Sequence, residues 1–145
     1  MASVVSVKWV DGRQFVGVDS TGHSVVISSP DDGVGCKPSD LLLLALGSCT
    51  AYDVVSILEK KRQQLTGLEV AVTGEQDKDA PWAFRKLHMQ FTIRGRALKE
   101  KAVRDAIELS ETKYCSVAAT VRDVAQIDYD YAIIEDDGCV SSTST

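Results

Sequence analysis

Pro38-Ser39-Asp40-Leu41-Leu42-Leu43-Leu44-Ala45-Leu46-Gly47-Ser48-Cys49-Thr50-Ala51-Tyr52-Asp53-Val54-Val55-Ser56-Ile57-Leu58 is the stretch around which the chain is arranged. Leucine is among the better helix formers, and no proline interrupts the run. Pro38 stands just outside, Ser39 can cap free backbone N–H groups, and Asp40 in the first turn suits the positive helix end. Residues 41–46 are apolar on every side, so this half is expected to be surrounded by protein. After Ser56 the residues turn charged and bring the helix to solvent. A helix over 38–65 spans roughly 40 Å at 1.5 Å per residue. Its apolar part just reaches the length of a membrane span, about 20 residues. Gly47, Ser48, Thr50 and Asp53 argue instead for the core helix of a protein that does not enter a membrane. Cys49 sits mid-helix, after a Gly-Ser pair that leaves room beside it.

Upstream, residues 1–28 read as a three-stranded meander. Val5, Val7 and Trp9 alternate with polar neighbours, Asp11-Gly12 marks a turn, Phe15 and Val16 centre the second strand, and Val25–Ile27 form the third. Residues 29–37 are a glycine- and aspartate-rich loop that delivers the chain to the helix and could lie over its apolar half. Downstream, Gly67 is a stop or turn, and Leu68, Val70 and Val72 alternate as a strand. Residues 76–81 form a polar hairpin loop. The return strand puts Leu87, Met89, Phe91 and Ile93 on one face and Lys86, His88, Gln90 and Thr92 on the other, so His88 reads as an exposed strand histidine. Residues 97–113 form an amphipathic second helix, with Leu98, Ala102, Ala106 and Leu109 on one stripe. A last strand carries Ile127, Tyr129, Tyr131 and Ile133, with the tyrosines as core or cross-strand packing. Residues 135–145 are a frayed tail.

This order predicts one domain, residues 1–145, of the α+β class, with largely antiparallel sheets wrapped around a long central apolar helix. One sheet cannot hide that helix. A second copy is the simplest cover, which predicts a homodimer with the helix near its axis.

The net charge of −5 and the lack of a basic run beyond Lys60-Lys61-Arg62 exclude nucleic acid as a partner. Met1-Ala2-Ser3 leads straight into a strand pattern, so no export signal is expected. The four cysteines, Cys36, Cys49, Cys115 and Cys139, are widely spaced with no CxxC pair. That is neither a disulfide scaffold nor a zinc site, and it fits a reducing cytoplasm. Cys49 lies too far into its helix for the dipole to activate it. A reactive thiolate there needs a cation or strong donors, for which Arg13, Arg85 and Arg94 are the candidates. Cys36 reads as an inert loop cysteine and Cys139 as incidental.

The segment from Pro38 to Val55, with its Gly47-x-Cys49-Thr50 core, resembles the OsmC/Ohr family of thiol-dependent peroxidases when taken together with Lys113-Tyr114-Cys115-Ser116-Val117. It is most similar to the small OsmC-like proteins with a Gly-x-Cys-Thr motif, and the resemblance runs over nearly the whole chain. It implies an intertwined homodimer with active sites at the subunit interface. It also implies a part in oxidative-stress defence through reduction of organic hydroperoxides. Cys49 would be the peroxidatic thiolate that becomes a sulfenic acid, and Cys115 the resolving thiol that closes a disulfide. A dithiol, a lipoyl-bearing protein in related enzymes, would restore both thiols. No metal or organic cofactor is called for. The family's activating arginine falls by position on Arg13. Its acidic partner falls on Asp40, a methylene shorter than the family's glutamate, while strict alignment to the peroxidase branch gives Ser39. A non-enzymatic dimer that binds small apolar or electrophilic molecules, or senses redox state, is the alternative on the same fold, and a purely structural dimer is a third.

Overall fold

The computed structural model describes residues 2–137. Cys139 and positions 138–145 of the expected tail lie outside the described residues. By its internal contacts the chain forms two compact units, one ending at Leu42 and one beginning at Leu43.

The first unit holds strands β1 (Ser6–Asp11), β2 (Gln14–Val18) and β3 (Ser24–Ser28), an antiparallel meander in chain order. The expected turns close it. Gly12 adopts φ 51°, and Trp9 Nε1 donates to its carbonyl at 2.9 Å. At the second turn, Asp19 Oδ1 accepts the backbone N–H groups of Thr21 and His23. These bonds, led by that of His23, hold its carboxyl below the usual range. The loop after β3 folds back on the strand. Cys36 forms a parallel bridge to Ile27, its N–H donating to the Val26 carbonyl at 2.9 Å. Gly35 permits this approach, because a Cβ there would stand 2.5 Å from the Val26 carbonyl oxygen.

Helix α1 (Pro38–Lys60) starts with Pro38 in the first helical position rather than just outside it, where its fixed φ is pre-organised and its missing N–H is not needed. It stops at Lys60, five residues short of the expected end. Arg62 takes the left-handed conformation at φ 58°, and the N–H groups of Arg62 and Gln63 return to the carbonyls of Glu59 and Leu58. That is a Schellman closure made without glycine. Strand β4 (Gln64–Gln76) follows at once, and Gly67 lies inside it at a bulge opposite Arg94 and Gly95.

In the second unit β4 pairs antiparallel with β5 (Phe84–Arg96), and β5 shows the expected alternation, with Leu87, Met89, Phe91 and Ile93 fully buried. Strand β6 (Gln126–Glu135) joins the other edge of β5 in parallel register, from Lys86 opposite Gln126 to Gly95 opposite Glu135. This corrects the expectation of antiparallel sheets at that one pairing. The chain between β5 and β6 is long enough to cross over the sheet and re-enter at the same end. The crossover contains helix α2 (Glu100–Leu109), a π-helical turn (Ser110–Tyr114) and helix α3 (Ser116–Val121), in place of the one helix expected over 97–113. Helix α2 buries Ala102, Val103, Ala106 and Ile107. On β6, Tyr129 packs edge-on against Phe91, with ring centroids 6.2 Å apart, and Tyr131 donates to Glu100 at 3.0 Å. Tyr129 is thus a packing residue, and Tyr131 is tied to α2 by its hydroxyl. Residues 135 and 136 are tied down rather than frayed: the Glu135 carboxylate accepts the Ala97 N–H, and the Asp136 N–H donates to the Gly95 carbonyl.

Only Leu46, Gly47, Thr50, Val54 and Leu58 of α1 are buried. Leu44 is 55% exposed and Tyr52 75%. The all-round burial expected for residues 41–46 is therefore not met: within its own unit the helix buries one stripe only.

Candidate active site around Cys49 and Cys115

Helix α1 presents its buried stripe, Leu46, Thr50, Val54 and Leu58, at four-residue intervals, the spacing that keeps side chains on one face. Gly47 interrupts the leucines where β4 comes close; a Cβ there would meet Val72 Cγ2 at 2.9 Å. The room left by the Gly-Ser pair is thus taken by a strand. Cys49, beside the stripe, is half-buried, and Cys115 is 2% exposed.

Cys115 is placed from the other side of the sequence. The π-helical turn ends on it, with its N–H donating to the Ser110 carbonyl at 2.9 Å. The residue then serves as N-cap of α3, its Sγ accepting the Ala118 N–H at 3.3 Å. This wide turn brings the thiol to α1. Cys49 stands near enough to Cys115 to influence that thiol, and Thr50 Oγ1 lies 3.6 Å from Cys115 Sγ. Burial pushes the Cys115 thiol above its ordinary range; the neighbouring Cys49 adds to the rise, while the Ala118 N–H and the Thr50 hydroxyl oppose it.

Two further links bind the turn to the helix. Ser110, fully buried, donates from Oγ to Asp53 Oδ2 at 2.8 Å. Glu111 brings Oε1 to 3.5 Å from Thr50 Oγ1. Burial pushes the Glu111 carboxyl above the ordinary carboxylate range, against the opposing Arg122 guanidinium and Thr50 hydroxyl. Arg122 also donates to the backbone carbonyls of Glu111 and Ala118, joining the turn to α3. Sequence reading missed Thr50, Asp53, Ser110, Glu111 and Arg122 as neighbours of the cysteines. A signal was present for Asp53, four residues past Cys49 and polar in an apolar helix, a placement that asks for a buried partner.

The other residues singled out from the sequence lie as follows. Arg13 belongs to the first unit, where its guanidinium donates to the Gly12 carbonyl and its N–H to Asp32. Asp40 is exposed in the first turn of α1, its N–H donating to the Lys37 carbonyl. No ion pair joins Arg13 to Asp40 among the described residues. Ser39 is half-buried in the same turn. Arg85 is engaged with Asp77 across the hairpin at 2.8 Å. Arg94 is exposed on β5, its stem over Gly67. His88 is half-buried rather than exposed: its Nδ1 meets Asp128, and with Thr73, Glu75 and Lys86 they line a cleft of about 200 Å³. Among the described residues no group of three or more His, Cys, Asp or Glu side chains is arranged to hold a metal ion.

Comparison with known proteins gives four likenesses. A family model described as OsmC-like protein matches residues 30–130. Protein YhfA of Escherichia coli K12 is 38% identical over 128 residues, which cover 88% of this chain and 96% of YhfA. Among solved structures, a hypothetical protein from Aquifex aeolicus VF5 superposes with a TM-score of 0.85 at 26% identity, covering 94% of this chain and 99% of that one. The organic hydroperoxide resistance protein OhrB of Bacillus subtilis superposes at 0.60 with 14% identity, covering 92% and 98%, a likeness of fold.

Proposed function

The chain belongs to the OsmC-like protein family, and on that premise we propose that it is a thiol-dependent peroxidase that reduces organic hydroperoxides. The observation that carries the reading is that Cys49 and Cys115, 66 positions apart, are brought close enough for Cys49 to influence the Cys115 thiol. Two thiols placed as neighbours need little movement to reach bonding distance, and the pair requires no metal or organic cofactor.

In the proposed cycle the Cys49 thiolate attacks the terminal oxygen of the hydroperoxide. The O–O bond breaks, the alcohol leaves with a proton, and Cys49 becomes a sulfenic acid. Cys115 then attacks the Cys49 sulfur, the S–O bond breaks, and water leaves as the disulfide closes. A dithiol, possessing two thiols in one molecule such as a lipoyl group, reduces the disulfide by two exchange steps and is itself oxidised. The leucines at 41–44 and 46 before Cys49 suit an alkyl peroxide better than hydrogen peroxide. Arg13 as activating cation and Asp40 as its acidic partner rest on the family resemblance. So does assembly as a homodimer, which the open side of α1 at Leu44 and Tyr52 favours. A cytoplasmic location fits the wide spacing of the cysteines, which form no CxxC pair.

Mass spectrometry after one equivalent of cumene hydroperoxide tests the reading. A Cys49–Cys115 disulfide supports it, and unmodified thiols count against it. The second reading, a non-enzymatic dimer that binds electrophiles, draws on the upward push that burial gives the Cys115 thiol. It expects ligand retained through purification and thiols inert toward peroxide.

A further inference from the structure

We propose that Glu111, acting through the Thr50 hydroxyl, relays the proton that Cys115 must lose when it condenses with oxidised Cys49. The inference rests on the peroxidase reading above and concerns its second step. There, Cys49–S–OH and Cys115–S–H become a disulfide and water: the S–S bond forms, the S–O bond breaks, and the Cys115 proton ends on the departing oxygen.

That proton starts on a thiol with 2% exposure, where bulk water is a poor base. Burial also makes the thiol reluctant to ionise. A group placed to move the proton is Thr50, whose Oγ1 is 3.6 Å from Cys115 Sγ and 3.5 Å from Glu111 Oε1. A hydroxyl carries one proton and two lone pairs, so it accepts from one neighbour while donating to another. At rest its proton is directed to the Leu46 carbonyl at 3.0 Å, an acceptor that cannot hand it on. Rotation of the hydroxyl redirects it to Glu111. The carboxylate takes the proton, Thr50 takes that of Cys115, and the protonated Glu111 then gives up a proton to the hydroxide leaving Cys49, which departs as water. Contacts of this length in a resting site commonly tighten when the reacting atoms are in place.

Glu111 suits the task. Its burial favours the protonated form, which makes the carboxylate a better base than an exposed one. Asp53, the carboxylate that α1 itself brings here, already accepts the Ser110 hydroxyl. The remaining titratable and charged groups that act on Glu111 or feel its charge are Arg122, which opposes its protonation, and Tyr129 of β6, whose phenol burial pushes up, with Glu108 and Glu111 adding to the rise. Glu111 is thus a positioning residue that acts through Thr50.

The test is rapid mixing of the full chain with one equivalent of cumene hydroperoxide. A cyclic dione traps the sulfenate, and mass spectrometry counts sulfenate and disulfide separately at each time. Glu111→Gln is expected to slow condensation about 100-fold, the low end of what a positioned acid–base group contributes. Sulfenate should accumulate, and the condensation rate should lose its acid-side inflection with pH. Thr50→Val should reproduce the slowing, and Thr50→Ser, which keeps the hydroxyl, should restore the rate. Condensation in Glu111→Gln at the wild-type rate would overturn the relay, as would slow condensation with an unchanged pH profile. Wild-type protein that never forms a sulfenate would overturn the peroxidase reading itself, a failure visible in the first phase alone.

Discussion

Ser110 donates its buried hydroxyl to the Asp53 carboxylate at 2.8 Å, which pins the start of the π-helical turn to α1 one turn beyond Cys49. The bond does two things. It satisfies a carboxylate on an apolar helix, and it fixes the backbone from which Cys115 follows five residues later. Ser110→Ala would leave Asp53 without its donor. The expected cost is about 1–3 kcal/mol of stability, the range for a buried group left unpaired. Urea unfolding measures it, and an unchanged midpoint would mean that the bond contributes nothing.

The proposed chemistry divides the two cysteines. In steady-state assays with cumene hydroperoxide and a dithiol, Cys49→Ser is expected to lower turnover at least ~1000-fold, as loss of a nucleophile does. Cys115→Ser should still reduce one equivalent of peroxide per chain and then stop as the sulfenate. Turnover by Cys49→Ser at the wild-type rate would refute the assignment.

The Cys115 thiol has a definite pH signature. Its pKa is raised above its ordinary value of 9.0, chiefly by burial. The folded state therefore keeps a proton that the unfolded chain releases. The associated stability is complete below pH 9 and is lost as the pH rises through the higher folded value. Tyr129 and Tyr131 are also raised, from 10.0, and add a loss of the same sign further up. Between pH 9 and 10 the unfolding free energy of the wild type should fall more steeply than that of Cys115→Ala. Equal slopes would show that the thiol does not titrate as its burial dictates.

Gly35→Ala probes the loop that folds back on β3. A methyl there would stand 2.5 Å from the Val26 carbonyl oxygen, and backbone rather than a pliable side chain would have to yield. A loss of about 1–3 kcal/mol is expected, as for other overpacked sites. Chemical denaturation gives the value, and a neutral result would mean that the bridge between Cys36 and Ile27 is dispensable.

Much of this fold was written in periodicity. The alternation of residues 86–93 gave β5 its faces, and the Leu98, Ala102, Ala106 and Leu109 stripe gave α2. Exceptions to residue preference were harder to see. Gly67 looked like the stop after the helix, but Arg62 took the left-handed position, because the closing hydrogen bonds outweigh the cost of a non-glycine there. Strand direction does not alter alternation, so nothing in Ile127, Tyr129, Tyr131 and Ile133 distinguishes the parallel pairing of β6 from an antiparallel one. At the site, the motifs singled out both cysteines, and the resemblance supplied their pairing. The polar groups that hold them together come from residues 50, 53, 110 and 111, distant in the chain and ordinary one by one. A histidine on a polar strand face looked solvated, yet Asp128 on the parallel neighbour half-covers it.

The π-helical turn before Cys115 holds one residue more per hydrogen-bonded ring than an ordinary helix. That surplus acts as an angular setting for the sulfur. Deleting a single position between 110 and 114 would let the coil close in regular form and swing whatever follows by about 100°, the rotation of one helical step. The length of this short segment is thus under a tighter constraint than its solvent-facing residues are, and a chain one residue shorter there would keep its architecture while its two sulfurs faced different ways.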